Sequence, residues 1–124
     1  MKISYNSLNN QHKQFKLIDG IYLLEHDRFH KWMWTSTEFS GIINNVNSIV
    51  FGLNSNIKNK LFFEDESVDI NENCLNLVEI DTTNKTEFQF RLEKQYNTPN
   101  DQRILGVKIV SINVDGTFLF LSTY

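Results

Sequence analysis

The sequence predicts an all-β domain, a sandwich or barrel of short antiparallel strands, on three observations. Short apolar runs recur about every ten residues between turn residues, a spacing that suits strands and not βαβ units. Phe88, Phe90 and Leu92 alternate with Gln89 and Arg91, a period of two that puts large apolar groups on one face of a pleated strand. Ten Phe, four Tyr and two Trp stand against no Ala at all, a composition fitted to half-buried pleated surfaces and thin in helix formers. No segment keeps a 3.6-residue period, and no internal repeat is present.

Taken in order, residues 1–14 read as a polar N-terminal segment, frayed or peripheral, and 15–124 as a single β-sandwich domain. Phe15 to Ile18 is a strand, and Asp19-Gly20 has the composition of a hairpin turn leading into Ile21 to Leu24. His26 to Lys31 is a polar loop. Trp32 to Thr35 and Phe39 to Ile43 follow as separate strands, with Asn44-Asn45 as a turn before Ile49 to Leu53. Asn54 to Asn56 turns into Ile57 to Phe63, closed by Glu64-Asp65-Glu66. Val68 to Ile70 is a short edge piece, Cys74 to Ile80 a strand, and Asp81 to Lys85 a polar turn into the alternating Phe88 run. A long loop, Lys94 to Asp101, carries the single proline, Pro99. Ile104 to Val114 is apolar on both faces except at Lys108 and Ser111 and so reads as a central strand, and Asp115-Gly116 turns it into Thr117 to Leu121.

Charge and cysteine content narrow the function. A net charge of −3 with scattered basic residues argues against a nucleic-acid partner, which would need clustered Lys and Arg to release counterions. The lone Cys74 rules out an intrachain disulfide and, within an apolar stretch, reads as a small buried hydrophobe. The first fifteen residues lack the apolar core of a signal peptide and no run reaches transmembrane length, so a cytoplasmic location is expected.

Catalytic groupings are missing from the pattern. His26 and His30 are four apart but fall in a loop without a matched third ligand, so no metal is expected there. His12, His26 and His30 all lie in the first quarter, beside no glycine-framed serine, and the five glycines are isolated, so neither a nucleophile relay nor a phosphate-cradling loop is expected. No catalytic residue and no cofactor is therefore assigned. Trp32 and Trp34, one residue apart on a strand, share a face and either stack on sugar rings or fill the core. Asp101 and Arg103, after Pro99, either read a ligand hydroxyl or clamp the long loop to a neighbouring strand, and the clamp is the expectation.

Two segments carry a resemblance. Gly20-Ile21-Tyr22-Leu23-Leu24-Glu25, followed by Trp34-Thr35, resembles the opening pattern of an accessory β-sandwich module found with bacterial cell-surface and capsule glycosyltransferases. Pro99-Asn100-Asp101-Gln102-Arg103-Ile104-Leu105-Gly106-Val107, followed by Ile112, resembles that module's closing pattern. The likeness runs from about Ile18 to Val114. It implies a two-sheet antiparallel sandwich of jelly-roll type, similar to carbohydrate-binding modules and not catalytic, and it points to Glu25, Trp34, Asp101 and Arg103. The basic residue that usually precedes the tryptophan is Met33 here, which weakens any anionic-ligand role at that spot.

The leading expectation is a carbohydrate-recognition or accessory module of surface-polysaccharide biosynthesis, with an oligosaccharide or a glycosyltransferase as partner. Binding would use Trp32 or Trp34 and Tyr22 as an aromatic platform, with Glu25, Arg28, Asp101 and Arg103 as hydrogen-bonding groups. The rival is a protein-interaction or oligomerisation sandwich that presents a flat apolar patch in place of a groove. Oligomeric state is left open.

Overall fold

A computed structural model describes residues 7–9 and 13–122, which form thirteen strands and no helix. In chain order these are β1 (Ser7–Asn9), β2 (Gln14–Ile21), β3 (Glu25–His26), β4 (Lys31–Asn44), β5 (Ser48–Asn54), β6 (Asn59–Phe63) and β7 (Glu66–Ile70). There follow β8 (Leu75–Asp81), β9 (Glu87–Leu92), β10 (Tyr96–Thr98), β11 (Asp101–Leu105), β12 (Lys108–Val114) and β13 (Thr117–Leu121). The main sheet runs β7-β6-β9-β4-β12-β5-β8, with β2 and β3 also on β4, β1 on β2 and β13 on β12; β10 and β11 pair apart as a hairpin. Every strand pairing is antiparallel.

The shape follows from β4. Its first half pairs with β12, Met33 opposite Ile109, and its second half with β9, Phe39 opposite Phe90. One strand thus serves two halves of the sheet, and their apolar faces meet. Phe51 of β5 lies 5.4 Å from Phe90 and 5.9 Å from Phe88 of β9, and 6.5 Å from Phe15 of β2. Around these rings are buried Leu53, Leu61, Ile109 and Ile112, giving one aromatic-rich core. The ends of the path, β7 and β8, flank a small cleft of about 140 Å³ lined by Val68, Leu77 and Val78, and do not pair, so the sheet stops just short of closing.

The alternating Phe88 run behaves as its period requires: Phe88, Phe90 and Leu92 are buried and Gln89 and Arg91 exposed. Turn residues at Asn45, Glu64 and Asn84 take up positive φ, as expected of asparagine-rich and acidic turns. Asp115 and Gly116 both have positive φ (49° and 88°), the backbone of a tight hairpin between β12 and β13.

Several expectations need correction. Asp19-Gly20 is no hairpin turn but an irregularity inside β2, because Gly20 (φ 76°) lies where a Cβ would stand 1.9 Å from the Glu38 carbonyl oxygen. The strands expected at Trp32 to Thr35 and Phe39 to Ile43 are one strand, since Ser36-Thr37-Glu38 contains nothing to break the ladder. The long Lys94 to Asp101 loop contains β10, paired with β11 across the Pro99-Asn100 turn, and the strand expected from Ile104 is split at Gly106-Val107. Cys74 is exposed, its thiol 3.8 Å from the Asn71 carbonyl, because it lies in the bend before β8, ahead of the pairing with β5 that begins at Leu75 and turns Val78 and Ile80 inward. His12 lies outside the described residues.

Candidate functional site

The β10–β11 hairpin lies against the first half of β4, and Thr35 fastens the chain just after it. Its carbonyl accepts from Gly106 N–H (2.7 Å), its hydroxyl from Val107 N–H (3.1 Å), and its own N–H donates to Val107 O (2.8 Å). That attachment brings together residues from both ends of the sequence. The Arg103 guanidinium donates from Nη1 to Glu25 Oε2 (2.9 Å), from Nη2 to Asp101 Oδ2 (2.6 Å), and from Nε to both Asp101 oxygens (3.0 and 3.1 Å). Asp101 also accepts from the Arg103 backbone N–H at 3.0 Å. The Arg103 side-chain bonds, and then that backbone bond, hold the Asp101 carboxyl down at about 2; Asp101, and then Glu25, push the guanidinium's proton affinity up. Each of the three guanidinium nitrogens donates inside the cluster.

Aromatic rings complete it. Tyr22 lies under Arg103 at 5.1 Å and donates its hydroxyl to Ile104 O at 2.8 Å. Trp34 is buried outside the main core, stacked on Tyr96 with centroids 5.7 Å apart. Lys108, in register with Trp34, holds its ammonium 4.9 Å from the Trp32 ring and 5.1 Å from that of Trp34, while the Trp32 indole nitrogen is buried with no hydrogen-bond partner among the described residues. Of the seven candidates, Tyr22, Glu25 and Asp101 each contact Arg103, and Trp32 and Trp34 both contact Lys108. Arg28 stands apart in the exposed turn after β3, over Phe29 at 5.4 Å. Tyr96 and Lys108 were not among the candidates; Tyr96 lay in a segment with no alternation to mark it as strand.

A different surface is open. The outer face of β2, β4, β9 and β6 forms a cleft of about 840 Å³, lined by residues of these strands and of the turn 84–86. Strand register sets its floor in rows. Asp19, Ser40 and Gln89 stand in one row and Glu38, Arg91 and Phe62 in the next, with Ile42 opposite Glu87 beyond. The Arg91 guanidinium lies 4.2 Å above the Phe62 ring. Lys85, at the rim, bonds to Glu64 and covers the Phe63 ring. Asp19, Glu38, Ser40, Glu87, Gln89 and Arg91 make no side-chain hydrogen bond or ion pair to any described residue. Apolar Ile18 and Ile42 are exposed beside them. Chemically the cleft offers carboxylates, an amide, a hydroxyl and a guanidinium, interleaved with apolar side chains.

Among the described residues, no three His, Cys, Asp or Glu converge as a metal site. His26 ends β3 and His30 lies in the turn after it, where the Asp27 carboxylate caps the N–H groups of Phe29 and His30; those backbone bonds, in that order, lower its pKa. No helix is long and apolar enough to cross a membrane. Comparison with protein-family models, with curated proteins and with solved structures returns no match. The fold and the cleft define the class as far as an all-β domain with one open, uncommitted sheet face.

Proposed function

We propose that this chain is a non-catalytic carbohydrate-recognition or accessory module associated with bacterial surface-polysaccharide biosynthesis, folded as a jelly-roll sandwich, and that its ligand lies in the cleft over β2, β4, β9 and β6. The observation that carries the reading is that cleft: about 840 Å³ of open sheet face in which Asp19, Glu38, Ser40, Glu87, Gln89 and Arg91 have no side-chain hydrogen-bond or ion-pair partner among the described residues. Sugars are dense in hydroxyls that both donate and accept, and have C–H faces that pack on apolar groups. Gln89, Ser40 and Arg91 meet the first demand, and Ile18, Ile42 and Phe62 the second. The Arg103 cluster serves as scaffold in this reading, because each guanidinium nitrogen already donates to Glu25 or Asp101.

A glycan array probed with the purified chain, followed by titration of the best ligand into Gln89→Ala and Arg91→Ala, tests it. Binding that weakens at least about tenfold in both variants supports the cleft, a loss typical of removing a hydrogen bond to a bound ligand. No glycan bound anywhere on the array sinks it.

A second reading has its own observation. Leu77 and Leu121, 65% and 49% exposed, lie in one cross-strand line through Gly52 and Ser111, with Leu75 and Phe118 also exposed on β8 and β13. Such a surface suits a protein partner. Sedimentation of the chain across a concentration series, with Leu77→Lys as control, distinguishes an oligomer from a monomer.

A further inference from the structure

The charges of the cleft say which glycans it takes. Its lining holds four carboxylates, Asp19, Glu38, Glu64 and Glu87, against two cations, Lys85 and Arg91. Lys85 is committed to Glu64, and Lys16, in register with Ile42, falls outside the lining. Among the described residues of the lining, that leaves Asp19, Glu38 and Glu87 facing one cation outside any ion pair, Arg91. Arg91 itself lies over the Phe62 ring, and its register partner in the ladder is the acidic Glu38, so a ligand anion drawn to Arg91 would approach a strand position that carries a carboxylate.

Resting on the carbohydrate reading above, we infer that the ligand of this cleft is an oligosaccharide without acidic groups. Carboxylates and the Gln89 amide accept hydrogen bonds from hydroxyls, bonds that a charged acceptor strengthens. Arg91 donates one or two in return. A uronic acid, sialic acid, phosphate or sulfate would bring negative charge to a surface with a surplus of it, and would desolvate carboxylates it cannot pair. The extent of the cleft sets a minimum length. From β2 to β6 it crosses three interstrand steps, about 14 Å at the usual strand spacing, more than a single sugar ring fills.

The test is a nitrogen–proton correlation titration of the full chain with neutral oligosaccharides and with uronic-acid and sulfated counterparts of the same linkage. The expected result is that neutral chains shift the amides of residues 38–42 and 87–91, with an affinity that changes less than about twofold as salt rises from roughly 0.05 to 0.5 M. Acidic counterparts should bind at least about tenfold more weakly. In the double variant Glu38→Gln, Glu87→Gln the neutral-to-acidic preference should shrink by about threefold or more, the direction expected when like charge is removed. Acidic glycans that bind the cleft as well as neutral ones, with an affinity that falls with salt, overturn the inference and leave the carbohydrate reading standing. A preference unchanged in the double variant overturns its electrostatic basis. If neither class moves these amides, the carbohydrate reading itself fails and the inference with it.

Discussion

The Arg103 guanidinium and the Glu25 carboxylate, 78 residues apart in the chain, meet at 2.9 Å. Between them they tie the β10–β11 hairpin to β3, and the Tyr22 ring beneath Arg103 ties it to the end of β2. The planar fork suits this work: it reaches two carboxylates at once, where a lysine would reach one point. The side chains are about a third exposed (33% for Arg103, 36% for Glu25), so water and salt moderate the pair.

Arg103→Ala should therefore destabilise the protein by about 1–2 kcal/mol, above an isolated surface pair because two acceptors and a ring lose their partner together. Arg103→Lys should recover less than half of that loss. Glycan binding should be unchanged in both, since neither touches the cleft. Denaturant melts paired with ligand titration check it, and an Arg103→Ala protein that melts like the parent but no longer binds glycan would move this cluster from scaffold to site.

Acid should act through Asp101. Its folded pKa, about 2, lies below the ordinary 3.8, so as pH falls between these values the unfolded chain takes up the proton first. The stabilisation is complete above the unfolded value and is lost as pH drops toward 2. Asp27, Asp81 and Asp115 shift in the same direction and add to the slope. Melting temperature should decline from about pH 4.5 to about pH 2.5, and less steeply in Asp101→Asn. Parallel pH profiles for the two proteins would show that Asp101 contributes nothing to acid sensitivity.

Phe90 is the best single probe of the core. It is 1% exposed, with the rings of Phe39, Phe63, Phe51 and Phe88 at 5.0, 5.2, 5.4 and 5.9 Å. Phe90→Ala should cost about 3–5 kcal/mol, whereas Gln89→Ala on the opposite face of the same strand should stay within about 0.5 kcal/mol. Urea unfolding of the two variants decides it; similar costs would mean that the strand does not have one buried and one open face.

What was legible in the sequence was what local chemistry controls. The period of two at Phe88 to Leu92 places both faces of β9 without reference to any other strand, and Asn45, Asn84 and Asp115-Gly116 mark turns because few residues accept positive φ. Asp19-Gly20 misled because the same dipeptide serves a hairpin or a bulge, and only the approach of the Glu38 carbonyl separates them. The cleft was half legible in the same sense. Gln89 and Arg91 read as an outward polar face, but that Glu38, Ser40, Asp19 and Phe62 stand beside them depends on strand register, which no local pattern states. Asp101 and Arg103 stood out by their place after Pro99, and Glu25 through motif likeness, whereas Tyr96 and Lys108, which neither signal marks, were not among the candidates.

The hairpin turn at Asp115 offers a test of how far one acidic side chain can organise a turn. Burial alone would push this carboxyl up, but the bond from Lys13 and the N–H groups of Ser48 (2.9 Å) and Asn47 (3.0 Å) outweigh it, and the net shift is downward. The same residue holds φ at 49°, a conformation that aspartate and asparagine tolerate better than alanine. Asp115→Ala thus removes the acceptor for two backbone donors and strains the turn, and should cost about 2–3 kcal/mol. Asp115→Asn keeps one acceptor oxygen and the tolerance for positive φ while losing the charge that Lys13 and the amides recognise, so about 1 kcal/mol is expected. Denaturant midpoints of the two variants separate the contributions. Equal losses would mean that charge alone holds the turn; a negligible loss in Asp115→Ala would mean that Gly116 and the β12–β13 ladder form the hairpin without it.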